Sequence, residues 1–122
     1  MKMLNILVID DEDVICEACE LVLSEKGHTV TLRKNGRAGL DAIREGIYDV
    51  LLLDMKLPDI DGMDILKAVQ KEKPKLCTIV MTGYSSISNA VEAMRKGANN
   101  YLAKPFTDDE LLKAIEESYA NH

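Results

Sequence analysis

Short apolar runs and longer amphipathic stretches alternate along the chain. Residues 4–9, 50–53 and 76–81 are dense in aliphatic and β-branched side chains. Continuous apolar runs of this length are typical of strands that are buried on both faces, as in a parallel sheet. Residues 28–33 alternate between polar and apolar positions, as an edge strand does, and residues 100–103 are a short candidate for a fifth strand.

The stretches between the apolar runs show apolar residues at helical spacing. Four of them end at a glycine or before a proline, which are usual helix stops, and they cover residues 14–26, 37–45, 63–73 and 86–96. The fourth stretch carries Ile87, Val91 and Met94, which we take as its apolar face. A fifth helix opens with Thr107 and Glu110 in the Thr-x-x-Glu arrangement of a capping box.

Strands that alternate with helices indicate one fold class. Five βα units predict an α/β domain, in which a doubly wound, five-stranded parallel sheet carries helices on both faces. A length of 122 residues suits one domain of common size, so we expect a single domain over residues 1–122. In open parallel sheets, ligands bind beyond the carboxyl ends of the strands. The residues that follow each strand are therefore the candidates for function.

Composition and charge exclude several classes of protein. The net charge of −6 argues against a nucleic-acid-binding surface, since such surfaces are usually basic. No run approaches the roughly 18 apolar residues of a membrane span, and the N-terminal residues lack the cleavage site of a signal peptide. Three cysteines, an odd number, fit a reducing compartment. We therefore expect a cytoplasmic domain that enters no membrane and makes no direct contact with nucleic acid.

Polar side chains follow four of the five predicted strands. Asp10 and Asp11 follow the first strand, Asp54 the third, Thr82 the fourth and Lys104 the fifth. The predicted fold brings these residues to one edge of the sheet, where three neighbouring carboxylates would repel each other. A hard divalent cation such as Mg²⁺, which binds one or two carboxylates together with waters, would remove that repulsion.

The same set of residue types suits phosphoryl chemistry. A carboxylate beside a cation, a lysine and a hydroxyl group can attack phosphorus and hold the group that it receives, as in enzymes that form aspartyl phosphates. The cation and the lysine would then stabilise negative charge on the transferred group.

Four segments of the chain, in order and at matching spacing, resemble the receiver domain of bacterial response regulators over about residues 4–119. They are Ile-Leu-Val-Ile-Asp-Asp-Glu (6–12), Leu-Leu-Leu-Asp-Met-Lys-Leu-Pro-Asp-Ile-Asp-Gly-Met (51–63), Ile-Val-Met-Thr-Gly-Tyr (79–84) and Gly-Ala-Asn-Asn-Tyr-Leu-Ala-Lys-Pro-Phe (97–106). Residues 93–106 look most like the receivers of nitrogen-regulation-type transcriptional activators. The resemblance implies a flavodoxin-like sheet with strand order 2-1-3-4-5.

The resemblance also implies how the residues at the strand ends divide the work. Asp54 would accept the phosphoryl group. Mg²⁺ would be bound by Asp11, by Asp54 and by the backbone carbonyl of Met55, with Asp10 acting largely through water.

A second set of implied roles concerns the response to phosphorylation. Thr82 would hydrogen-bond the phosphoryl group and shift toward it, and Lys104 would pair with the same group. Tyr101 would rotate inward when the threonine moves, which would alter the face built from the last two helices and the fifth strand. The Lys104–Pro105 peptide bond would be cis.

The resemblance further implies partners and an output. The phosphoryl donor would be a phosphohistidine on a sensor histidine kinase or a phosphotransfer protein. The domain would be a signalling switch that catalyses its own Mg²⁺-dependent phosphorylation and dephosphorylation, and Lys56 and Tyr84 would tune the rate of hydrolysis. We expect transcription to be the output, and a phosphorylation-dependent homodimer is a further hypothesis.

Other motifs have simpler structural interpretations. Cys16 and Cys19 have C-x-x-C spacing but lie inside a predicted helix, with Cys16 toward the edge of its apolar stripe, so we expect free thiols; Cys77 opens a strand and is expected to be buried. The stretch 59–62 (Asp-Ile-Asp-Gly) resembles part of a calcium loop but lacks the remaining ligands, so a turn with a helix cap is expected. A packed aromatic residue is the simpler interpretation of Tyr101, but we favour the switch role.

Two other classes of protein share part of this pattern. A flavin-binding module shares this strand order, but the acidic residues 10–12 would repel a phosphate at the first loop. A phosphatase that resembles the haloacid dehalogenases needs an acid two residues after its nucleophile, where this chain has Lys56. The chain is either a stand-alone receiver or part of a larger transcription regulator, and we favour the second.

Overall fold

The computed structural model describes residues 2–83 and 87–122. Its five strands are β1 (Asn5–Ile9), β2 (Thr29–Arg33), β3 (Val50–Asp54), β4 (Cys77–Gly83) and β5 (Asn100–Lys104). Its five helices are α1 (Asp13–Glu25), α2 (Gly36–Glu45), α3 (Gly62–Glu72), α4 (Ile87–Arg95) and α5 (Asp108–Asn121). All strand pairs are parallel and the order is β2-β1-β3-β4-β5. The predicted fold class and strand order are both confirmed.

The two faces of the sheet are covered by different helices, and strand alternation divides the core between them. In β1, Ile6 and Val8 belong to a cluster with residues of α1 and α5, whereas Leu7 and Ile9 belong to a cluster with residues of α2, α3 and α4. Every residue of the central strand β3 is buried. Burial on both faces is the reason why these strands are continuous apolar runs.

The apolar face of α4 differs from the one that the sequence predicts. Val91 and Met94 are 50% and 40% exposed, whereas Ala90 and Ala93 are fully buried. The side chains of Val91 and Met94 thus point away from the sheet, whereas the smaller ones of Ala90 and Ala93 face it. A periodicity argument gives more weight to large side chains, so it favoured the wrong stripe.

The buried stripe of α1 also extends further than predicted. Cys16 is only 1% exposed, although the sequence placed it at the edge of the stripe, and its thiol donates a hydrogen bond to the Asp10 carbonyl oxygen at 3.2 Å. Cys19 and Cys77 are buried as well, and all three thiols are free, as predicted.

Polar caps fix the helices next to the strand ends. Thr107 and Glu110 form the predicted capping box of α5. Asp61 is the N-cap of α3 and accepts a hydrogen bond from the Met63 N–H, which confirms the turn and cap expected for this stretch. Asp59 accepts hydrogen bonds from the backbone N–H groups at the start of α2, at 2.7 and 2.9 Å. The loop that follows β3 is therefore hydrogen-bonded to the N-termini of α2 and α3.

Among the described residues, no helix has the length and apolar character that crossing a membrane requires.

Candidate functional site

The register of the sheet brings the ends of four strands together. Ile9 of β1 is paired with Leu53 of β3, so Asp10 and Asp54 follow at adjacent positions. The end of β4 lies beside the end of β5, where Thr82 is paired with Ala103, one residue before Lys104. The carboxyl ends of parallel strands meet at one edge, and this edge holds the predicted set.

The Lys104 ammonium group lies among three carboxylates. Its Nζ atom is 2.7 Å from Asp10 Oδ2, 2.9 Å from Glu12 Oε1 and 3.6 Å from Asp54 Oδ2. Asp10 is fully buried and Asp54 is nearly so. Burial would lower the pKa of Lys104, but its hydrogen bonds to Asp10 and Glu12 have the larger combined effect, so the pKa is raised and the group stays charged.

The buried carboxyl groups resist ionisation. Burial raises the pKa of Asp54 to about 6; the hydrogen bond from the Lys56 backbone N–H, at 3.1 Å, lowers it, and the neighbouring Asp10 raises it further. Burial also raises the pKa of Asp10 and is only partly offset by the hydrogen bond from Lys104. One lysine therefore does not fully compensate for the desolvation and mutual repulsion of these carboxylates.

Four carboxylate side chains together provide the oxygen ligands that a hard cation requires. Asp10, Asp11, Glu12 and Asp54 each offer an oxygen atom, and these atoms lie within 4.8 Å of one another. Clustered carboxylate oxygens suit Mg²⁺, which takes oxygen ligands and retains several waters. Burial and, to a smaller extent, the neighbouring carboxylates raise the pKa values of Asp10 and Asp54, and a bound cation would favour the ionised forms of both groups.

The backbone carbonyl of Met55 is held in place by Gly62. The Gly62 N–H donates a hydrogen bond to this oxygen at 3.2 Å. A Cβ atom at position 62 would lie 2.6 Å from the Met55 Cα atom and 2.9 Å from its oxygen, and both are main-chain atoms that cannot move independently. Since a carbonyl oxygen has two lone pairs, the bond from Gly62 leaves one available to a cation.

A cavity of about 440 Å³ borders the Asp54 carboxylate, and it is open to solvent. Thr82 and Lys104 line it, as do Glu12 and Lys56. Thr82 is buried. The cavity thus gives a small anionic group access to the carboxylate, the hydroxyl group and the ammonium group together.

The remaining predicted positions lie around this centre. Tyr101, on β5, is 42% exposed, so its side chain is directed outward. The Lys104–Pro105 peptide bond is cis, the conformation that the resemblance implied. Tyr84 lies outside the described residues.

Comparison with known proteins defines the family. Residues 6–116 match the family described as "Response regulator receiver domain". The transcriptional regulatory protein ZraR of Klebsiella oxytoca is 35% identical over 120 residues, which are 98% of this chain and 27% of ZraR. A crystal structure of NtrX from Brucella abortus has a TM-score of 0.93 at 30% identity, over 98% of this chain and 27% of NtrX. A receiver domain protein from Clostridium thermocellum has a TM-score of 0.89 at 37% identity, over 95% of this chain and 94% of that one.

The chain belongs to the response regulator receiver domain family. It is a signalling domain of the two-component response regulators and is similar to those of transcriptional regulators. The chain spans about a quarter of the length of ZraR and of NtrX.

Three residues around the site had no predicted role there. Glu12 was noted only as part of an acidic run, although it contacts Lys104. Gly62 was assigned to a helix start, and its contact with the Met55 carbonyl depends on how the loop folds back. Asp59 caps a helix that lies more than twenty positions earlier in the chain. The acidic run was the one signal that could have indicated Glu12, whereas the other two contacts have no local signature.

Replacing Gly62 with alanine should disturb the Met55 carbonyl. We expect Gly62→Ala to destabilise the domain by about 1–3 kcal/mol, because the new methyl group is forced against main-chain atoms, and to weaken Mg²⁺ binding by about tenfold. Urea unfolding and Mg²⁺ titration by NMR measure the two effects. Gly83→Ala is the control, since a Cβ atom there meets no described atom within 4 Å. Equal effects of both substitutions would contradict the role given to Gly62.

Replacing Asp54 with asparagine should stabilise the domain in the absence of Mg²⁺. The folded-state pKa of Asp54 is about 6, above the ordinary value of 3.8, so its ionisation disfavours the fold as the pH rises between these values. At about 1.4 kcal/mol per pH unit, the gain from Asp54→Asn at pH 7.5 is on the order of 3 kcal/mol. Urea unfolding in EDTA measures it, and at pH 4 the gain should largely vanish. A gain of the same size at both pH values would show that the gain does not come from removing the ionisation of Asp54.

Proposed function

We propose that this domain is a phosphorylation-activated switch that accepts a phosphoryl group on Asp54. The donor is the phosphohistidine of a sensor histidine kinase or a phosphotransfer protein. The observation that carries the proposal is the position of the Asp54 carboxylate, which borders an open cavity and lies 3.6 Å from the Lys104 ammonium group. Membership of the receiver family supports the same conclusion.

The transfer step follows from the groups that face the cavity. An oxygen of the Asp54 carboxylate attacks phosphorus, a P–O bond forms, and the P–N bond to the donor imidazole breaks as the leaving nitrogen takes up a proton. The Lys56 backbone N–H orients the carboxylate. With a pKa of about 6 the carboxyl group is mostly ionised above pH 7, and it is more basic than an ordinary aspartate.

Charge on the transferred group has to be stabilised from two sides. Lys104 approaches its oxygens from β5, and the raised pKa keeps this group protonated. Asp11, Asp54 and the Met55 carbonyl would hold Mg²⁺, with Asp10 acting largely through water. When bound, Mg²⁺ supplies positive charge that neutralises oxygens of the phosphoryl group.

The output surface is the face formed by α4, β5 and α5. Thr82 reports phosphorylation by bonding the phosphoryl group and moving toward it, and Tyr101 follows by rotating inward from its exposed position. Val91 and Met94 also expose apolar surface on α4, which suits a face that contacts other proteins. Because ZraR and NtrX-type relatives extend well beyond the matched region and ZraR is named a transcriptional regulator, transcription is the proposed output.

The remaining properties are proposed on the same basis. The domain catalyses its own phosphorylation and dephosphorylation, and Lys56 and Tyr84, two positions after Asp54 and Thr82 along the chain, tune hydrolysis. Residues 1–122 form one receiver domain that acts in the cytoplasm and makes no direct contact with nucleic acid. The three free thiols and the net charge of −6 agree with this setting.

Labelling with a small phosphodonor tests the proposed function. We expect Mg²⁺ and ³²P-labelled acetyl phosphate to label the wild-type protein, and Asp54→Asn to reduce the label to background, because the nucleophilic oxygen is lost. Asp13→Asn, which removes a nearby exposed carboxylate that pairs with Lys34, should keep the label. Full labelling of Asp54→Asn, or no labelling of the wild-type protein, would refute the assignment.

A change in oligomeric state tests the proposed homodimer. Light scattering should give a monomer mass without beryllofluoride and a dimer mass with beryllofluoride and Mg²⁺, because inward rotation of Tyr101 would change the output face. Asp54→Asn serves as the control and should stay monomeric. An unchanged mass at protein concentrations up to the millimolar range would exclude dimerisation by this domain alone.

A further inference from the structure

The side chain of Glu12 contacts the lysine of the site. Its Oε1 atom lies 2.9 Å from Lys104 Nζ, which is also 2.7 Å from Asp10 Oδ2 and 3.6 Å from Asp54 Oδ2. Both close partners of Lys104 belong to the segment that follows β1. The phosphoacceptor is the most distant of the three carboxylates that share this ammonium group.

Glu12 occupies the N-cap position of α1 without using its side chain as a cap. Short polar side chains are favoured at this position because they reach a free N–H group of the first helical turn. The Glu12 side chain makes no such bond. Its backbone is nevertheless fixed, because its N–H donates to Asp10 Oδ1 at 2.8 Å and its carbonyl oxygen accepts from the Cys16 N–H at 3.1 Å. The local backbone thus presents the carboxylate to Lys104 and not to the helix.

The two close contacts of Lys104 are not equivalent. The Asp10 side chain is fully buried, so loss of the lysine would leave an uncompensated charge in the interior, which is strongly unfavourable. The Glu12 side chain is 57% exposed, so water can solvate its carboxylate if the contact breaks. The contact with Glu12 is therefore the one that Lys104 can give up.

We propose that Glu12 is a positioning residue, which holds the Lys104 ammonium group toward β1 and releases it when Asp54 carries a phosphoryl group. This inference rests on the proposed function, and it adds a residue that regulates the binding of a phosphoryl group at the same site. A phosphoryl group has a larger negative charge than one carboxylate and accepts charge-assisted hydrogen bonds, so it draws Lys104 toward β3 against Glu12. Glu12 thereby weakens the binding of a phosphoryl group, and a shorter or neutral residue strengthens it.

Three variants distinguish the positioning role of Glu12 from an effect of its charge alone and from a role as a metal ligand. Glu12→Gln removes the charge and keeps the length of the side chain, whereas Glu12→Asp keeps the charge and withdraws it from Lys104. Asp13→Asn removes the charge of the next residue, whose carboxylate pairs with Lys34 and not with Lys104. If Glu12 acted only through its charge, the first and third variants would behave alike. If it acted as a metal ligand, both Glu12 variants would bind Mg²⁺ less tightly.

The experiment measures the affinity of each variant for beryllofluoride, a phosphoryl analogue, at saturating Mg²⁺, and separately its affinity for Mg²⁺ alone, both by NMR. We expect both Glu12 variants to bind beryllofluoride about two- to fivefold more tightly than the wild-type protein, the range for an exposed ion pair. Asp13→Asn should match the wild-type affinity. The ¹⁵N signal of Lys104 Nζ should move in both Glu12 variants and stay in place in Asp13→Asn, which a purely structural role of Glu12 would not produce.

Each alternative result overturns the inference. Equal tightening in Glu12→Gln and Asp13→Asn, with none in Glu12→Asp, would assign the effect to charge alone. A lower Mg²⁺ affinity in both Glu12 variants than in Asp13→Asn would make Glu12 a metal ligand. A wild-type protein that takes no label and binds no beryllofluoride would refute the proposed function itself. A labelled wild-type protein with unchanged Glu12 variants would refute only the role of Glu12.

Discussion

The ammonium group of Lys104 only partly offsets the charge of the acidic cluster, and the rest of the site depends on this ion pairing. Lys104 lies within ion-pair distance of three carboxylates, two of which are buried. Burial raises the pKa of Asp54 to about 6, and the neighbouring carboxylates add to this rise because one positive charge does not fully offset them. Residual negative charge favours a cation, and the same imbalance makes the position of Lys104 sensitive to any new anionic group on Asp54.

The fold creates this cluster as a consequence of burying its strands. Apolar residues on both faces of β1 and β3 fix the register, since a shift of one residue would exchange the side chains between the two helical layers. Once the register is fixed, Asp10 and Asp54 must follow at neighbouring strand ends. The hydrophobic core therefore supplies the free energy that holds like charges together, and functional residues need not stabilise their own arrangement.

Sequence patterns predicted some features of the molecule much better than others. The five strands and five helices, the thiol states and the capping box at Thr107 follow from local composition and spacing, and all were confirmed. The prediction of the buried face of α4 was wrong, because Ala90 and Ala93 pack against the sheet and the larger Val91 and Met94 do not. Periodicity identifies a helix but does not state how closely the neighbouring layer approaches it.

The sequence by itself determined the set of chemical groups at the strand ends, since alternating strands and helices leave Asp10, Asp54, Thr82 and Lys104 at the carboxyl edge of any such sheet. Only the tertiary structure decided how those groups share charge. The distances from Lys104 to its partners, the contact with Glu12 and the support of the Met55 carbonyl by Gly62 join residues that different segments bring together. Such contacts depend on packing distances of a few ångströms, and no spacing along the chain encodes them.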